Sequence, residues 1–324
     1  MAVEKHLVGS LSLGSFTGSL ILTVYQKASP HNPLIMSALI TIPQPDPLRS
    51  PHHDKPIAYD LRYLPDGSRK PVIIFVHGFK GFKDWGYFNL LADAFAQAGF
   101  VYLKLNLSHN GTTPEHPTDF ADLEAFGQNN FTKEMDDLGL LIDHVYSPEF
   151  AMDDREVDPG RLFLIGHSRG GSLVILKGYE DERVKGVVTL AAVSDLAQRW
   201  SDEQLAKWKE ERVTYVANSR TGQNMPMDYQ LVEDFNLHRE RFDVPRALKN
   251  LGKPLLAFHG SEDETVPVQA AHDIKKWNAT AEIEIIEGAN HVFGGKHPYE
   301  ASELPTAMRR VLTRTTKFLK EIGY

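Results

Sequence analysis

From residue 72 onward the chain carries six short, mostly apolar runs, at 72–76, 100–105, 162–165, 187–192, 255–258 and 283–286, each separated from the next by a longer stretch of mixed polarity. A strand exposed on one face alternates apolar with polar residues, whereas a continuous apolar run is buried on both faces. Strands of the second kind, separated by helices, build a mostly parallel sheet covered on both sides. The intervening segments read as helices where their ends are marked. Residues 87–98 place apolar side chains at helical spacing and stop before Gly99, 132–145 open on Thr132 and end ahead of Pro148, and 172–179 follow closely on the run at 162–165.

Two intervals depart from this pattern. In the first seventy residues, β-favouring runs at 19–25, 34–42 and 57–64 alternate with turn-rich stretches such as Pro65-Asp66-Gly67-Ser68, as expected of antiparallel strands joined to the main sheet. The Pro and His cluster at 45–56 reads as a loop. The interval 195–250 is too long for a simple crossover, and it holds a helix at 201–212 capped by Ser201 and a strand-like pair at 213–217 and 229–232. The expected organisation is therefore an α/β core at 71–194 and 251–324, N-terminal strands at 1–70 and a lid or cap insertion at 195–250.

Composition narrows the chemistry. The 324 residues are 42% hydrophobic and 24% charged, enough to bury a large core. A formal net charge of -8, with Lys and Arg scattered and in no basic run, argues against a nucleic-acid partner. The chain has no cysteine, which excludes disulfides, thiolate zinc sites and a thiol nucleophile. No basic stretch leads into an apolar core at the N-terminus, and the apolar segment at 19–24 is far too short to span a membrane, so the expected location is cytoplasmic.

The run at 162–165 leads straight into Gly166-His167-Ser168-Arg169-Gly170-Gly171 and then into a helical segment. A Gly-X-Ser-X-Gly pattern is weak alone. Between a strand and a helix it describes a tight turn in which small residues avoid a clash and the serine hydroxyl is pushed out of the sheet. A serine hydroxyl is a poor nucleophile near neutral pH and needs a base and a group that orients the base. Both candidates follow downstream: Asp263, in the loop His259-Gly260-Ser261-Glu262-Asp263, and His291, just beyond the last run. The order serine, acid, histidine differs from the orders on the chymotrypsin and subtilisin folds. Competing carboxylates are Glu262, Glu264 and Asp195, and the competing histidine is His297. The loop His77-Gly78-Phe79-Lys80-Gly81, after the run at 72–76, can supply a backbone N–H to a developing oxyanion; the candidate donors are the N–H groups of Phe79 and Arg169.

On these motifs the chain, from about residue 72 to its end, resembles the α/β-hydrolase family, most of all its esterases related to dienelactone hydrolases and cinnamoyl (feruloyl) esterases. The resemblance implies a cofactor-free acyl-enzyme mechanism on a small-molecule ester, a carboxylesterase with preference for aryl or medium acyl groups. One feature departs from many lipases: the oxyanion loop is His-Gly-Phe where they carry His-Gly-Gly-Gly. An acyl peptidase or acyltransferase on the same residues, or a non-catalytic binding protein of the same fold, are the alternatives. His109, His116, Asp119 and Asp122 lack metal-ligand spacing. His77 and His259, each before a glycine at a strand end, are expected to bond the local backbone. Trp200, Trp208 and Tyr215 are expected either to line an acyl pocket or to form a small core of the insertion.

Overall fold

The computed structural model describes residues 4–9, 20–26, 36–43, 47–150, 152–197 and 200–323. The chain opens with three strands, β1 (Glu4–Gly9), β2 (Leu20–Gln26) and β3 (Met36–Pro43), each antiparallel to the next. Within the proline and histidine cluster, where a loop was expected, a two-residue pair forms, β4 (Leu48–Arg49) with β5 (Pro56–Ile57). Strand β6 (Tyr59–Tyr63) then joins β3 antiparallel. The alternating part follows as β7 (Lys70–Val76), α1 (Phe88–Gln97), β8 (Val101–Leu105), α2 (Leu123–Gly127), α3 (Phe131–Val145), β9 (Val157–His167), α4 (Arg169–Glu180) and β10 (Val184–Leu190).

After β10 come α5 (Asp202–Glu211), a hairpin of β11 (Val213–Asn218) and β12 (Gln223–Asp228), α6 (Gln230–Leu237) and α7 (Val244–Lys249); the core then resumes with β13 (Leu255–Gly260), α8 (Gln269–Trp277), β14 (Glu282–Ile286) and α9 (Thr306–Ile322). Among the described residues the main sheet has ten strands in the order β1-β2-β3-β6-β8-β7-β9-β10-β13-β14. Neighbours are parallel from β8 through β14 and antiparallel elsewhere, so the sheet is parallel exactly where the apolar runs are continuous.

The period-2 alternation of strands decides which layer each side chain enters. Along β7, Val72, Ile74 and Val76 enter the cluster shared with α3, α4 and α7, while Ile73 and Phe75 enter the cluster shared with α1 and α9. Along β9, Leu162 and Leu164 face the first layer and Phe163 and Ile165 the second. All of these are essentially inaccessible to water, and each such burial contributes about 1.5–3 kcal/mol before conformational entropy is subtracted. Two buried layers clamp the central strands, and their carboxyl ends become a rigid platform.

Several boundaries differ from the sequence expectation. The strand expected at 229–232 is instead the entry to α6, with Tyr229 at its N-cap, and the true partner of β11 is β12, Gln223–Asp228. Its sequence, Gln-Asn-Met-Pro-Met-Asp, has no β-branched or aromatic residue, so composition hides it; cross-strand register, with Pro226 opposite Tyr215, defines it. Helix α3 starts at Phe131 because the Asn130 side chain, and not Thr132, caps it by accepting from the Lys133 N–H. Helix α4 starts at Arg169, three residues earlier than its apolar pattern suggests, because it follows Ser168 without a linker. Ser201 caps α5 as expected, in a reciprocal capping box with Gln204.

Candidate active site

Ser168 sits between β9 and α4 with φ 55 and ψ -121, a left-handed conformation costly for a residue with a Cβ. Its neighbours hold it there. The Ser168 N–H donates to Leu190 O at 2.8 Å on the adjacent strand β10, and its carbonyl accepts from Gly171 at 2.9 Å. Close packing makes the second glycine of the motif obligatory: a Cβ on Gly170 would stand 2.4 Å from Val76 O and 2.5 Å from His77 O. Helix α4 therefore runs directly against the end of β7, and the serine is presented at the carboxyl edge of the sheet.

The loops after β13 and β14 are tied to each other. Ser261 N donates to Ile286 O at 3.1 Å, and Glu262 N to Ala289 O at 3.0 Å. This brings Asp263 and His291 together, with His291 Nδ1 2.8 Å from Asp263 Oδ2. The other oxygen, Oδ1, accepts the N–H groups of Thr265 and Val266, both at 2.8 Å. Burial alone would raise this carboxyl, but the hydrogen bonds from His259 and His291 and from the Val266 N–H outweigh it, holding Asp263 well below the usual carboxylate range. Because Asp263 is an ionised acceptor, His291 Nδ1 donates to it, and in the neutral imidazole the lone pair is then on Nε2. The competing carboxylates Glu262 and Glu264 are exposed, and Asp195 accepts from its own Ala197 N–H.

Two further histidines are locked into single tautomers. His77 Nε2 accepts from Leu107 N at 3.4 Å while Nδ1 donates to Gly78 O at 2.9 Å, bracing the loop at 77–81; burial pushes its imidazole down to about 4. His167 Nε2 donates to the His291 carbonyl at 2.9 Å, and burial, followed by the proximity of His291, pushes it down to about 3. Both are neutral supports. His297, the rival of His291, uses Nδ1 to accept the Gly86 N–H at 2.9 Å.

Ser168, His291, Phe79 and His297 line one cavity of about 570 Å³ above the sheet edge. Val216, Asn218, Ser219 and Arg220, from the β11 end of the hairpin and its turn, form a further wall. That hairpin is fastened to the core by Lys80 Nζ on Ala217 O at 3.0 Å and by Gln223 Nε2 on Phe120 O at 3.1 Å. A second cavity of about 260 Å³ shares Phe79 and Val216 with the first and is lined by Trp200, Trp208, Tyr215 and Met227. Trp208 is buried, packs edge-on to Trp200 and donates Nε1–H to Met227 O at 2.7 Å, so these aromatics serve both the small core of the segment and a cavity wall. Among the described residues, no hydrogen bond occupies the backbone N–H of Phe79 or of Arg169; the latter opens α4 and has no intrahelical partner.

Sequence reasoning missed three contacts. His259 does bond the backbone, with Nε2 2.8 Å from Val266 O, but it also lies 3.2 Å from Asp263 Oδ2. The spacing His259 to Asp263 was visible, yet a four-residue interval inside a loop carries no fixed geometry. The cavity wall at 216–220 and the buried pair of Arg169 with Glu134, at 3.1 Å, are tertiary contacts without a local signature. Of the residues that lacked metal spacing, His109 bonds Ser108, and Asp122 caps α2 and pairs with Lys55.

A strand-to-helix turn through a positive-φ serine, with an acid and a histidine on the loops of the following strands, is the architecture of the α/β-hydrolases. The alpha/beta hydrolase family profile matches residues 73–302, and the chain belongs to that family. No curated protein matches it. Among solved structures it is similar to Est1E from Butyrivibrio proteoclasticus with ferulic acid bound, at 17% identity and TM-score 0.61 over 85% of this chain and 98% of that one. It is also similar to a dienelactone hydrolase from Anabaena variabilis, at 17% identity and TM-score 0.53 over 86% of this chain and 98% of that one. A puromycin-hydrolyzing peptidase from Mycobacterium tuberculosis shares 16% identity at TM-score 0.59, over 94% of this chain and 46% of that one. The family and these neighbours support a hydrolase. Among the described residues, no helix is long and apolar enough to cross a membrane.

Proposed function

We propose that the protein is a serine carboxylesterase in which Ser168 is the nucleophile, His291 the general base and Asp263 the acid that orients the base. The observation that supports this reading most is the 2.8 Å contact of His291 Nδ1 with an ionised Asp263, beside a cavity that Ser168 also lines. In this mechanism the Ser168 hydroxyl attacks the ester carbonyl while its proton passes to His291 Nε2, and the imidazolium is stabilised by Asp263. The tetrahedral oxyanion is held by the N–H groups of Phe79 and Arg169. Collapse expels the alcohol, which takes the proton from His291, and water repeats the sequence on the acyl-enzyme to release the acid and restore the serine.

The segment 195–250 acts as a cap on the core at 71–194 and 251–324, with the strands of 1–70 extending the sheet. Its contribution of Val216, Asn218, Ser219 and Arg220 to the cavity, and of Trp200, Trp208 and Tyr215 to the adjoining recess, favours a substrate with an aryl or medium acyl group. The likeness to Est1E with ferulic acid bound points the same way. A second reading, cleavage of an acyl amide on the same residues, is favoured by the likeness to the puromycin-hydrolyzing peptidase. Turnover of p-nitrophenyl esters graded from acetyl to cinnamoyl, alongside aminoacyl anilides and with Ser168→Ala as the blank, separates the two. Ester turnover lost in the blank supports the esterase, and anilide turnover exceeding it supports the peptidase.

A further inference from the structure

The two residues whose N–H groups are assigned to the oxyanion also touch through their side chains. The Arg169 guanidinium lies 4.2 Å from the centre of the Phe79 ring and 5.4 Å from that of Phe131. The Phe79 ring is in turn 5.5 Å from Phe126. Phe126, Phe79, Arg169 and Phe131 thus form a stack drawn from α2, the loop after β7, α4 and α3. Its positive charge meets one carboxylate, Glu134 Oε1 at 3.1 Å from Arg169 Nη1, with the two side chains 3% and 4% exposed. The same Glu134 oxygen accepts Asn129 Nδ2 at 2.7 Å.

Stability does not account for this pair. Burying two charges costs several kcal/mol per ion, and their attraction repays that only with full hydrogen bonding; an apolar replacement is often as good or better. Here the bonding is incomplete, since Arg169 Nε and Glu134 Oε2 are both buried with no partner among the described residues. Each unpaired group of this kind adds the cost of its lost hydration without a compensating bond. What the arrangement does achieve is position. Phe79 and Arg169 sit on separate backbone segments, and Lys80, next to Phe79, is held at φ 57. Two donors serve one oxyanion only at a fixed spacing, and a misplacement of about 1 Å can cost roughly 100-fold in rate.

We propose that Glu134 and the Arg169 side chain are positioning residues: Glu134 fixes the guanidinium, the guanidinium face holds the Phe79 ring, and the backbone N–H groups of Phe79 and Arg169 are thereby kept at the spacing an oxyanion needs. This rests on the serine-esterase reading above. Glu134→Gln, Phe126→Leu and Arg169→Lys each disturb the stack without removing either backbone N–H group, and neither Glu134 nor Phe126 lines the two cavities.

The readouts are turnover of an aryl acetate and inhibition by an aryl trifluoromethyl ketone, which adds the Ser168 oxygen to its carbonyl carbon and leaves an oxyanion in the same place. For each variant the expected result is a kcat about 10-fold lower with KM unchanged, and a ketone inhibition constant raised by the same factor. Arg169→Lys keeps the charge but loses the planar face, so it should not rescue the loss. Variants that are folded by circular dichroism and match the parent in both kcat and ketone affinity, whatever their melting temperature, would reduce the stack to core packing. Should Glu134→Gln fail to fold, Phe126→Leu, an apolar exchange, carries the same comparison. Failure of the underlying reading looks different: the parent itself would ignore the ketone, or Ser168→Ala would retain turnover.

Discussion

His259 Nε2 stands 3.2 Å from Asp263 Oδ2, the oxygen that also receives His291 Nδ1. With both backbone donors on Oδ1, the carboxylate is surrounded by donors on every side and has one orientation open to it. Replacing it tests whether that orientation matters. Asp263→Asn should preserve the fold but lower kcat by roughly 10⁴-fold, since an amide can donate where the imidazole needs an acceptor and so selects the wrong tautomer. His259→Gln should cost about 10-fold, because Asp263 keeps its other three donors. Steady-state rates on one aryl ester check both, and equal losses for the two variants would contradict this ranking.

Acid stability follows from groups whose titration is displaced by folding. Burial pushes His77, His109 and His167 down to about 4, 3 and 3. Between those values and the ordinary histidine value near ~6.5, they are neutral when folded and protonated when unfolded, so unfolding takes up protons and stability falls as the pH drops. Asp137 works in the opposite sense: burial raises it to about 6, so from there down to about 3.9 the folded protein holds a proton that the unfolded chain lacks. These four groups together take up about two protons on unfolding near pH 5, a contribution of about 2.7 kcal/mol lost per pH unit. His144 and His297, which burial also lowers, act in the same sense, and Asp228, which burial raises, acts against them. Urea midpoints at pH 7 and pH 5 should differ accordingly, and an unchanged midpoint would contradict the burial of these histidines.

The turn at Ser168 depends on the approach of α4 to β7. A methyl group at Gly170 would meet Val76 O at 2.4 Å and His77 O at 2.5 Å, both backbone atoms that cannot rotate away. Gly170→Ala should therefore destabilise the protein by about 3 kcal/mol or more, by forced displacement of a packed helix. Calorimetry checks this, and a melting temperature within a degree or two of the parent's would mean that the helix can shift freely.

Acyl selectivity should reside in the recess beside the main cavity. Trp200→Ala removes an aromatic wall from that recess without touching Ser168, Asp263 or His291. If the acyl group rests there, the loss is about 1–2 kcal/mol, a roughly 5- to 30-fold drop in kcat/KM for a cinnamoyl-type ester, with the acetyl ester nearly unchanged. Equal losses on both substrates would assign the segment 195–250 to folding instead.

The sequence disclosed the parallel core because burial on both faces leaves no polar alternation to confuse the pattern; each apolar run from 72 onward lies within a strand or within two residues of one. It concealed elements whose stability comes from partners. Strand β9 begins at Val157, through Pro159 and Gly160, residues that locally signal a turn. The hairpin strand Gln223–Asp228 has no β-favouring composition and is held by register with Val213–Asn218. At the site, Ser168, Asp263 and His291 could be picked out because each follows a recognisable strand. The contact of His259 with Asp263 could not, since four residues across a strand end carry no fixed geometry, nor could the stack of Arg169 on Phe79, which joins segments whose relative placement only the packed sheet determines.

The central claim, that Ser168 is the nucleophile, is tested most directly by covalent trapping. A fluorophosphonate reacts with a serine oxygen activated by a neighbouring base and expels fluoride, leaving a stable phosphonyl ester. Incubation of the intact protein with such a probe, followed by proteolysis and peptide mass mapping, should find one modified residue, Ser168, with loss of esterase activity in step with labelling and no labelling of Ser168→Ala. Labelling at another serine, or full inhibition of the Ser168→Ala variant's residual turnover at parent-like rates, would contradict the account.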